Sequence, residues 1–291
     1  MPYSIDSVIT KLEENMPSLS PTASKIIQLA SDINASPPEL TKVIKLDPVL
    51  SAKVLKLVNS SYFAIRDRIV SLEKAVIMLG LNTIKNLALS AAVLTQVESN
   101  SRDNKFDHNE FWKHSLAVGI TAKLIARERK VDKKVIEDYF IAGLLHDLGL
   151  LVESNIFPEE MTRILSYCQK DGLLISEAIE LGGLNGLNHC KIGELLADKW
   201  KLSSYLKNVM VMHHNPFPNE NYSDLDATIY LANIICKNNT IGLVLDKIPV
   251  EPETDIYTKL GIDNSIEKLV LNDIENEIEK AMEFLKAFCK N

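Results

Sequence analysis

Apolar positions along this chain recur every three or four residues far more often than every two, the spacing of helices that bury one face. In residues 23–33, Ile26, Ile27, Ala30 and Ile33 share such a face. Two of the following stretches open on a polar residue and proline: Ser36 before Pro37 and Pro38, and Asp47 before Pro48. A cap oxygen there accepts an otherwise unpaired N–H, and the fixed φ of proline suits the first turn. After Asp47 and Pro48 come Leu50, Val54, Leu57 and Val58 at helical spacing. A further helix is predicted from Ser71 to a stop at Gly80, and 82–94 is apolar nearly all round in its second half, which predicts burial. Residues 1–97 thus predict five or six short helices.

The polar run 98–110 marks the best internal boundary. Longer helices are predicted over 110–129, 133–151, 158–171, 189–199, 203–213 and 224–239. Residues 182–189 form a Gly-rich loop without a preceding strand or a Lys-Ser/Thr ending, so it does not read as a phosphate cradle. Residues 213–224 read as a loop and 247–255 as a turn-rich linker. The last helix, 266–290, is amphipathic, with Leu269, Ile274, Ile278, Met282, Leu285 and Phe288 at mostly helical spacing. Packing onto the parent domain explains it more simply than a partner-binding coil. The expected fold class is all-α, with an N-terminal multi-helix subdomain (1–100) packed against a helical bundle (101–291).

Composition narrows the function classes. Among 291 residues, 46% are apolar and 24% charged, ordinary for a globular protein that buries a sizeable core. The net charge of −7 argues against a general polyanion-binding surface. The first hundred residues are near neutral, with 10 Lys+Arg against 9 Asp+Glu, so the acidity lies in the remainder. Lys42, Lys45, Lys53, Lys56, Arg66 and Arg68 are explained more simply as a solvated surface than as a nucleic-acid contact. No membrane span and no leader peptide are expected. Cys168, Cys190, Cys236 and Cys289 form no CxxC pair and read as reduced thiols of a cytoplasmic protein. Cys190 follows His189 directly, which makes a ligand role conceivable, although a buried small hydrophobe is what a free cysteine usually is.

Chemistry concentrates in the histidines. His146 and Asp147 interrupt the apolar stretch 141–151, where two ionisable groups cost free energy unless paired. His114 is bracketed by Leu116, Ile120, Leu124 and Ile125; His189 starts a predicted helix, and His213 and His214 end one. His108 falls in the polar boundary and is expected to be exposed. Imidazole with carboxylate suits Fe, Mn, Zn, Ni or Co, and such a site with open positions can activate water on a phosphate. Glu110 precedes His114 by one turn and can face the same site. A hydrogen-bonded polar core network is the alternative reading of the same residues.

The string LLHDLG, with a histidine about thirty residues earlier, resembles the HD superfamily of metal-dependent phosphohydrolases. The stretches MPSLSPTASKIIQLASD, VIKLDPVLSAKVLKLVNSSYF, SLEKAVIMLGLNTIKNLALSAAVL and FWKHSLAVGITAKLIA together resemble something narrower, the HDOD family of bacterial proteins related to the HD-GYP phosphodiesterases. The resemblance covers about residues 15–240. It implies an HD-like bundle and a regulatory or signal-transduction role. It places His114 at the first histidine of the HD pattern, His146 and Asp147 at the doublet, and His189, His213 and His214 at the additional histidines. Glu110 takes the place of a carboxylate one turn earlier, and Asn233 stands where active enzymes carry the last aspartate.

Three departures weaken the catalytic expectation. Asn233 offers a neutral oxygen instead of a carboxylate. Leu150 replaces a lysine that contacts phosphate in HD-GYP enzymes, and the Gly-Tyr-Pro signature is absent. The expectation is a signal-transduction or regulatory protein with no catalytic or organic-cofactor residues to name. One or two divalent transition-metal ions would be held by His114, His146, Asp147, His189, His213, His214, Glu110 and Asn233. Its partner would be a signalling protein or a small nucleotide, with no membrane or nucleic acid. The alternative is a metal-dependent phosphohydrolase or phosphodiesterase acting on a cyclic or other nucleotide.

Overall fold

The structure is a computed structural model. It describes residues 5–285 apart from 33, 64, 98–105, 172, 174, 183, 185, 218–221, 246–248 and 254. The described residues are helical, with no strand among them. Most of the polar boundary, part of the Gly-rich loop, Ile33, Phe288 and Cys289 therefore lie outside the described residues.

The N-terminal helices are α1 (Ile5–Asn15), α2 (Pro21–Ser31), α3 (Pro37–Lys45), α4 (Pro48–Val58), α5 (Leu72–Leu79) and α6 (Leu81–Val97). Their starts follow the chemistry legible in the sequence. Ser36 and Glu39 form a reciprocal capping box, Asp47 accepts from the Leu50 N–H, and Ser71 accepts from the Lys74 N–H. Helices α2, α4 and α5 pack around the buried α6, which in turn lies on α8 of the second half.

That second half comprises α7 (His108–Glu128), α8 (Ile136–Leu145), α9 (Leu148–Ile156), α10 (Pro158–Ser166), α11 (Ile175–Gly182), α12 (His189–Trp200), α13 (Ser204–Met212), α14 (Asp224–Asn238), α15 (Ile256–Leu260) and α16 (Ser265–Leu285). Helix α7 is the central post, packed on α8, α14 and α16, while α12 packs on α9 and α13. The main hydrophobic core draws on residues from Val8 to Ala281, and a small second cluster of Ile164, Cys168, Ala178 and Ile179 lies between α10 and α11. Polar ties reinforce the junction of the halves. Asn86 donates to Asp138 at 2.8 Å, Trp200 Nε1 donates to the Pro17 carbonyl at 2.8 Å, and Lys123 donates to both Tyr62 and Glu137.

Several predicted elements come out differently. The single helix over 133–151 is two, α8 and α9, broken at His146 and Asp147. The His146 ring donates to the Gly143 carbonyl at 2.7 Å and so competes for the acceptor that the Asp147 N–H would use to continue the helix. The stretch 158–171 ends in a π-helical turn, Tyr167–Asp171. Helices α11 and α15 lie outside the predicted segments, and α1, with Ile5, Val8, Ile9 and Leu12 at helical spacing, is one of the short helices expected in residues 1–97. On α16 the buried stripe is Ile266, Val270, Ile274, Ile278 and Ala281, whereas Leu269 is largely solvated. This stripe faces α7, so the helix covers the parent domain. His108 is half-buried against Phe106, with ring centroids 5.3 Å apart, instead of exposed.

Candidate metal centre

Two close helix crossings and one strap bring the histidines together. At the crossing of α7 and α8, Gly119 and Gly143 touch main chain to main chain; a Cβ on Gly143 would lie 2.6 Å from the Gly119 Cα. That contact sets the His114 and His146 rings 5.6 Å apart. At the start of α9, a Cβ on Gly149 would lie 1.9 Å from the His189 carbonyl oxygen. The missing side chain lets the N-terminus of α12 carry His189 to Asp147. The strap is the segment 241–245 after α14. Gly242 has φ +76°, and a Cβ there would lie 2.3 Å from the His114 nitrogen, so the left-handed turn and the approach to α7 both need glycine.

Asp147 sits at the centre. Its Oδ2 lies 3.2 Å from His146 Nε2, and its Oδ1 lies 3.2 Å from His213 Nε2 and 3.5 Å from His189 Nε2. His189 Nε2 is in turn 2.9 Å from His214 Nε2. On three rings the other nitrogen faces a main-chain carbonyl, which can only accept. His146 Nδ1 donates to Gly143, His213 Nδ1 to Val209 at 3.1 Å, and His114 Nδ1 to Ile241 at 3.1 Å. These anchors put the imidazole proton on Nδ1 and leave Nε2 as a lone pair. The lone pairs of His146 and His213 thus point at carboxylate oxygens, acceptor against acceptor. His146 Nε2, His213 Nε2, Asp147 Oδ1 and His189 Nδ1 are all buried without a hydrogen-bond partner. A cation between them resolves the conflict. Carbonyl-anchored histidines around a carboxylate are how metal sites orient their ligands, so the residues fit a divalent ion.

The protonation energetics of the metal-free protein agree. Burial pushes the His114 and His189 pKa values down to about 4. Burial also opposes charge on His146, but the adjacent Asp147 carboxylate outweighs it and holds the pKa above the usual value. Asp147 is desolvated too, yet His146 and His213 hold it well below the usual carboxylate range. The raised His146 and lowered Asp147 values show that this pair favours a positive charge beside the carboxylate, which a metal ion would also supply.

His114 lies within reach of the cluster, its ligand atom within 4.8 Å of those of His146 and Asp147, but it also has a partner of its own. His114 Nε2 lies 3.0 Å from the Asn233 side-chain oxygen. With the imidazole neutral and its proton on Nδ1, this contact is a hydrogen bond when the Asn233 amide turns its NH2 toward Nε2. His114 and Asn233 then satisfy each other. Glu110 stands outside the cluster: its carboxylate is 3.9 Å from Lys113, its side chain is 44% exposed, and its main-chain carbonyl accepts from the Leu243 N–H of the strap at 2.8 Å. Cys190 comes near His189, His213 and His214. Burial and then the charges of Asp147 and Glu153 push its thiol far up, which disfavours the thiolate.

Beside the cluster opens a small cavity of about 50 Å3. Leu150 and Asn233 line it, together with Lys237 and the strap residues 243–245. Sequence reasoning missed Lys237, although its spacing of four from Asn233 places both on one helix face. It also missed Glu153, which is wholly buried with both carboxylate oxygens unpartnered. Burial and then the charge of Asp147 raise the Glu153 pKa to about 8. Between pH 4.5 and 8 the folded protein keeps a proton that the unfolded chain has released. Stability therefore falls as pH rises through this window, by up to about 1.4 kcal/mol per pH unit. Metal-free Glu153→Gln protein is expected to match the wild type at pH 5 and to melt higher at pH 8. Equal melting temperatures at both pH values would refute the assignment.

The HDOD domain family matches residues 16–216. The chain belongs to the HDOD family. Its fold is shared with an HDOD domain protein of unknown function from Geobacter sulfurreducens, at 22% identity and a TM-score of 0.75, covering 99% of this chain and 100% of that one. A Shewanella amazonensis protein provisionally described as a phosphohydrolase matches at 24% identity and a TM-score of 0.73, over 96% and 98% of the two chains. A Marinobacter aquaeolei protein provisionally described as a signal transduction protein matches at 20% identity and a TM-score of 0.74, over 98% of this chain and 66% of that one. These likenesses establish an all-α HD-like fold. Two curated relatives are uncharacterized proteins. The one from Treponema pallidum is 28% identical over 72% of this chain, and YuxH of Bacillus subtilis 25% over 64%. The matched regions span 40% and 47% of those longer proteins. No single helix is long and apolar enough to cross a membrane among the described residues.

Proposed function

We propose that this chain is a regulatory, signal-transduction HDOD module whose HD-like cluster binds a divalent transition-metal ion, Fe, Mn, Zn or Ni, without serving as a hydrolytic centre. The observation that carries this reading is the pairing of His114 with Asn233. In an HD-type hydrolase those positions would be a histidine and a carboxylate free to hold metal; here they are spent on each other. His146, Asp147, His189 and His213 remain as a ligand set suited to one ion, with His214 at its rim. The module would hand its state to a signalling partner, or respond to a small nucleotide at the cavity.

A metal-dependent phosphohydrolase is the second reading, favoured by the cavity that reaches Asp147 and His189. A bound ion would supply a polarised phosphoryl group and an activated water. The test is turnover of bis(4-nitrophenyl) phosphate and of a cyclic dinucleotide by Mn- or Fe-loaded protein. The wild type is expected to stay at the protein-free rate, and Asn233→Asp to gain metal affinity. Metal-dependent turnover by the wild type that Asp147→Ala abolishes would overturn the regulatory reading.

A further inference from the structure

The N-terminal helices carry an apolar surface that shares no residue with the histidine cluster. Ile77 on α5 is 84% exposed, the most of any large apolar side chain among the described residues. Leu46, at the end of α3, is 71% exposed. Both line one groove of about 910 Å3 between α3 and the corner of α5 and α6. Pro37, Pro38, Val76 and Leu81 complete its apolar lining. Exposed apolar side chains scattered singly need no explanation, but gathered in one groove they are the signature of a docking surface.

The surrounding charges select what covers it. Lys42, Lys45 and Glu73 are the charged residues of the lining. Glu73 is spent on Lys45, which it pairs with from α5 to α3. Glu39, also on α3, accepts from the Ser36 N–H and hydroxyl in its capping box. Among the described residues, the Lys42 ammonium has no ion pair or hydrogen bond, and neither has that of Lys74. Lys74 lies one turn before Ile77 on α5, hence on the same face. The uncompensated charge beside the groove is therefore positive, in a protein whose net charge is −7. A second copy docked through the same groove would bring these lysines against each other, which is unfavourable. A flat bilayer does not fill a groove between helices, whereas an amphipathic helix does, through apolar residues one turn apart.

We propose that the groove between α3 and α5 docks an acidic amphipathic helix of a partner protein, its apolar face on Ile77 and Leu46 and its carboxylates on Lys42 and Lys74. This deepens the regulatory reading, on which the use of the surface rests, by naming where a signalling partner sits and its chemistry. The probe is a fluorescein-labelled helical peptide about five turns long, with leucines on one face and glutamates flanking them. Its binding to the full chain is followed by fluorescence anisotropy. A scrambled peptide of the same composition and one with lysine in place of glutamate are the comparisons. The wild type binds the acidic peptide saturably, at least tenfold more tightly than either comparison. Ile77→Asp and Lys42→Glu, both at exposed positions, each weaken binding at least tenfold and leave the melting temperature unchanged. Absence of saturable binding, equal binding of the scrambled peptide, or indifference to either substitution overturns the proposal. Self-association of the wild type that Ile77→Asp abolishes would also overturn it, making a second copy the occupant. So would binding to phosphatidylglycerol vesicles that Ile77→Asp abolishes, making a membrane the occupant. Metal-dependent turnover alongside intact peptide binding would defeat the regulatory reading alone. A protein without turnover that ignores the peptide would defeat this proposal alone.

Discussion

Asp147→Ala protein is expected to purify without metal, whereas the wild type carries about one equivalent of a divalent transition-metal ion. Three imidazole nitrogens lie 3.2 to 3.5 Å from its two oxygens, so it is the shared neighbour of the set. Its removal deletes the anionic ligand and the charge that attracts a cation to a buried place. The loss of affinity should exceed the roughly 10–100-fold typical of disturbing a partner behind a ligand. A linked measurement checks the result. A metal ion that binds only the folded state raises the melting temperature with its concentration. The chelator-treated wild type should regain that stabilisation on adding metal, and Asp147→Ala should not. Asp147→Asn keeps the shape without the charge and should behave like the alanine variant. Absence of metal from a well-folded wild type, with no thermal response to added ions, would leave the cluster as a protonated polar network centred on His146.

Gly149→Ala is expected to be the most disruptive glycine-to-alanine change among the described residues. The added Cβ would meet the His189 carbonyl oxygen at 1.9 Å and the Gly193 nitrogen at 2.7 Å. Both are main-chain atoms of α12, so no side-chain rotation relieves the overlap; the helices must separate. Overpacking costs typically 1–3 kcal/mol, and with backbone on the receiving side about 3 kcal/mol or more is expected. The separation also withdraws His189 from Asp147, so metal affinity should fall with stability. Gly261→Ala provides the contrast. Gly261 has φ +64° and nothing within 4 Å of a Cβ, so only the backbone preference is lost, about 1 kcal/mol. Urea titrations of the two variants decide the matter. A loss at Gly149 no larger than that at Gly261 would mean that the close approach is not what holds α9 and α12 together.

The two glycine contacts and the strap share one consequence. Each ligand-bearing residue sits where a helix starts, ends or is crossed closely by another. His146 and His213 cap the ends of α8 and α13, Asp147 precedes α9, and His189 opens α12. At such ends carbonyls lack helical partners. The His146 ring takes the Gly143 carbonyl as its anchor, the His213 ring shares the Val209 carbonyl with its own main-chain N–H, and the rigid helices then aim their other nitrogens inward.

Much of this was decided locally. Helix starts at α3, α4 and α5 follow from Ser36, Asp47 and Ser71, because a cap acts within its own turn. The all-α class follows from apolar spacing, and the ionisable pair His146 and Asp147 was conspicuous because burial of such groups demands a partner. The HDOD motifs extended this to family membership and to the histidines that gather. What local pattern does not carry is distance between helices. Glu110 has the correct spacing to His114, yet the strap takes its carbonyl while its carboxylate turns to Lys113. The division of 133–151 into two helices depends on a side chain competing for a main-chain acceptor. Glu153 gives no sign in the sequence that it is buried unpartnered, and Lys237 gives none that it reaches the cavity. These outcomes depend on which backbones approach closely enough to touch. That is settled at glycine contacts between α7 and α8 and between α9 and α12, which join residues far apart along the chain.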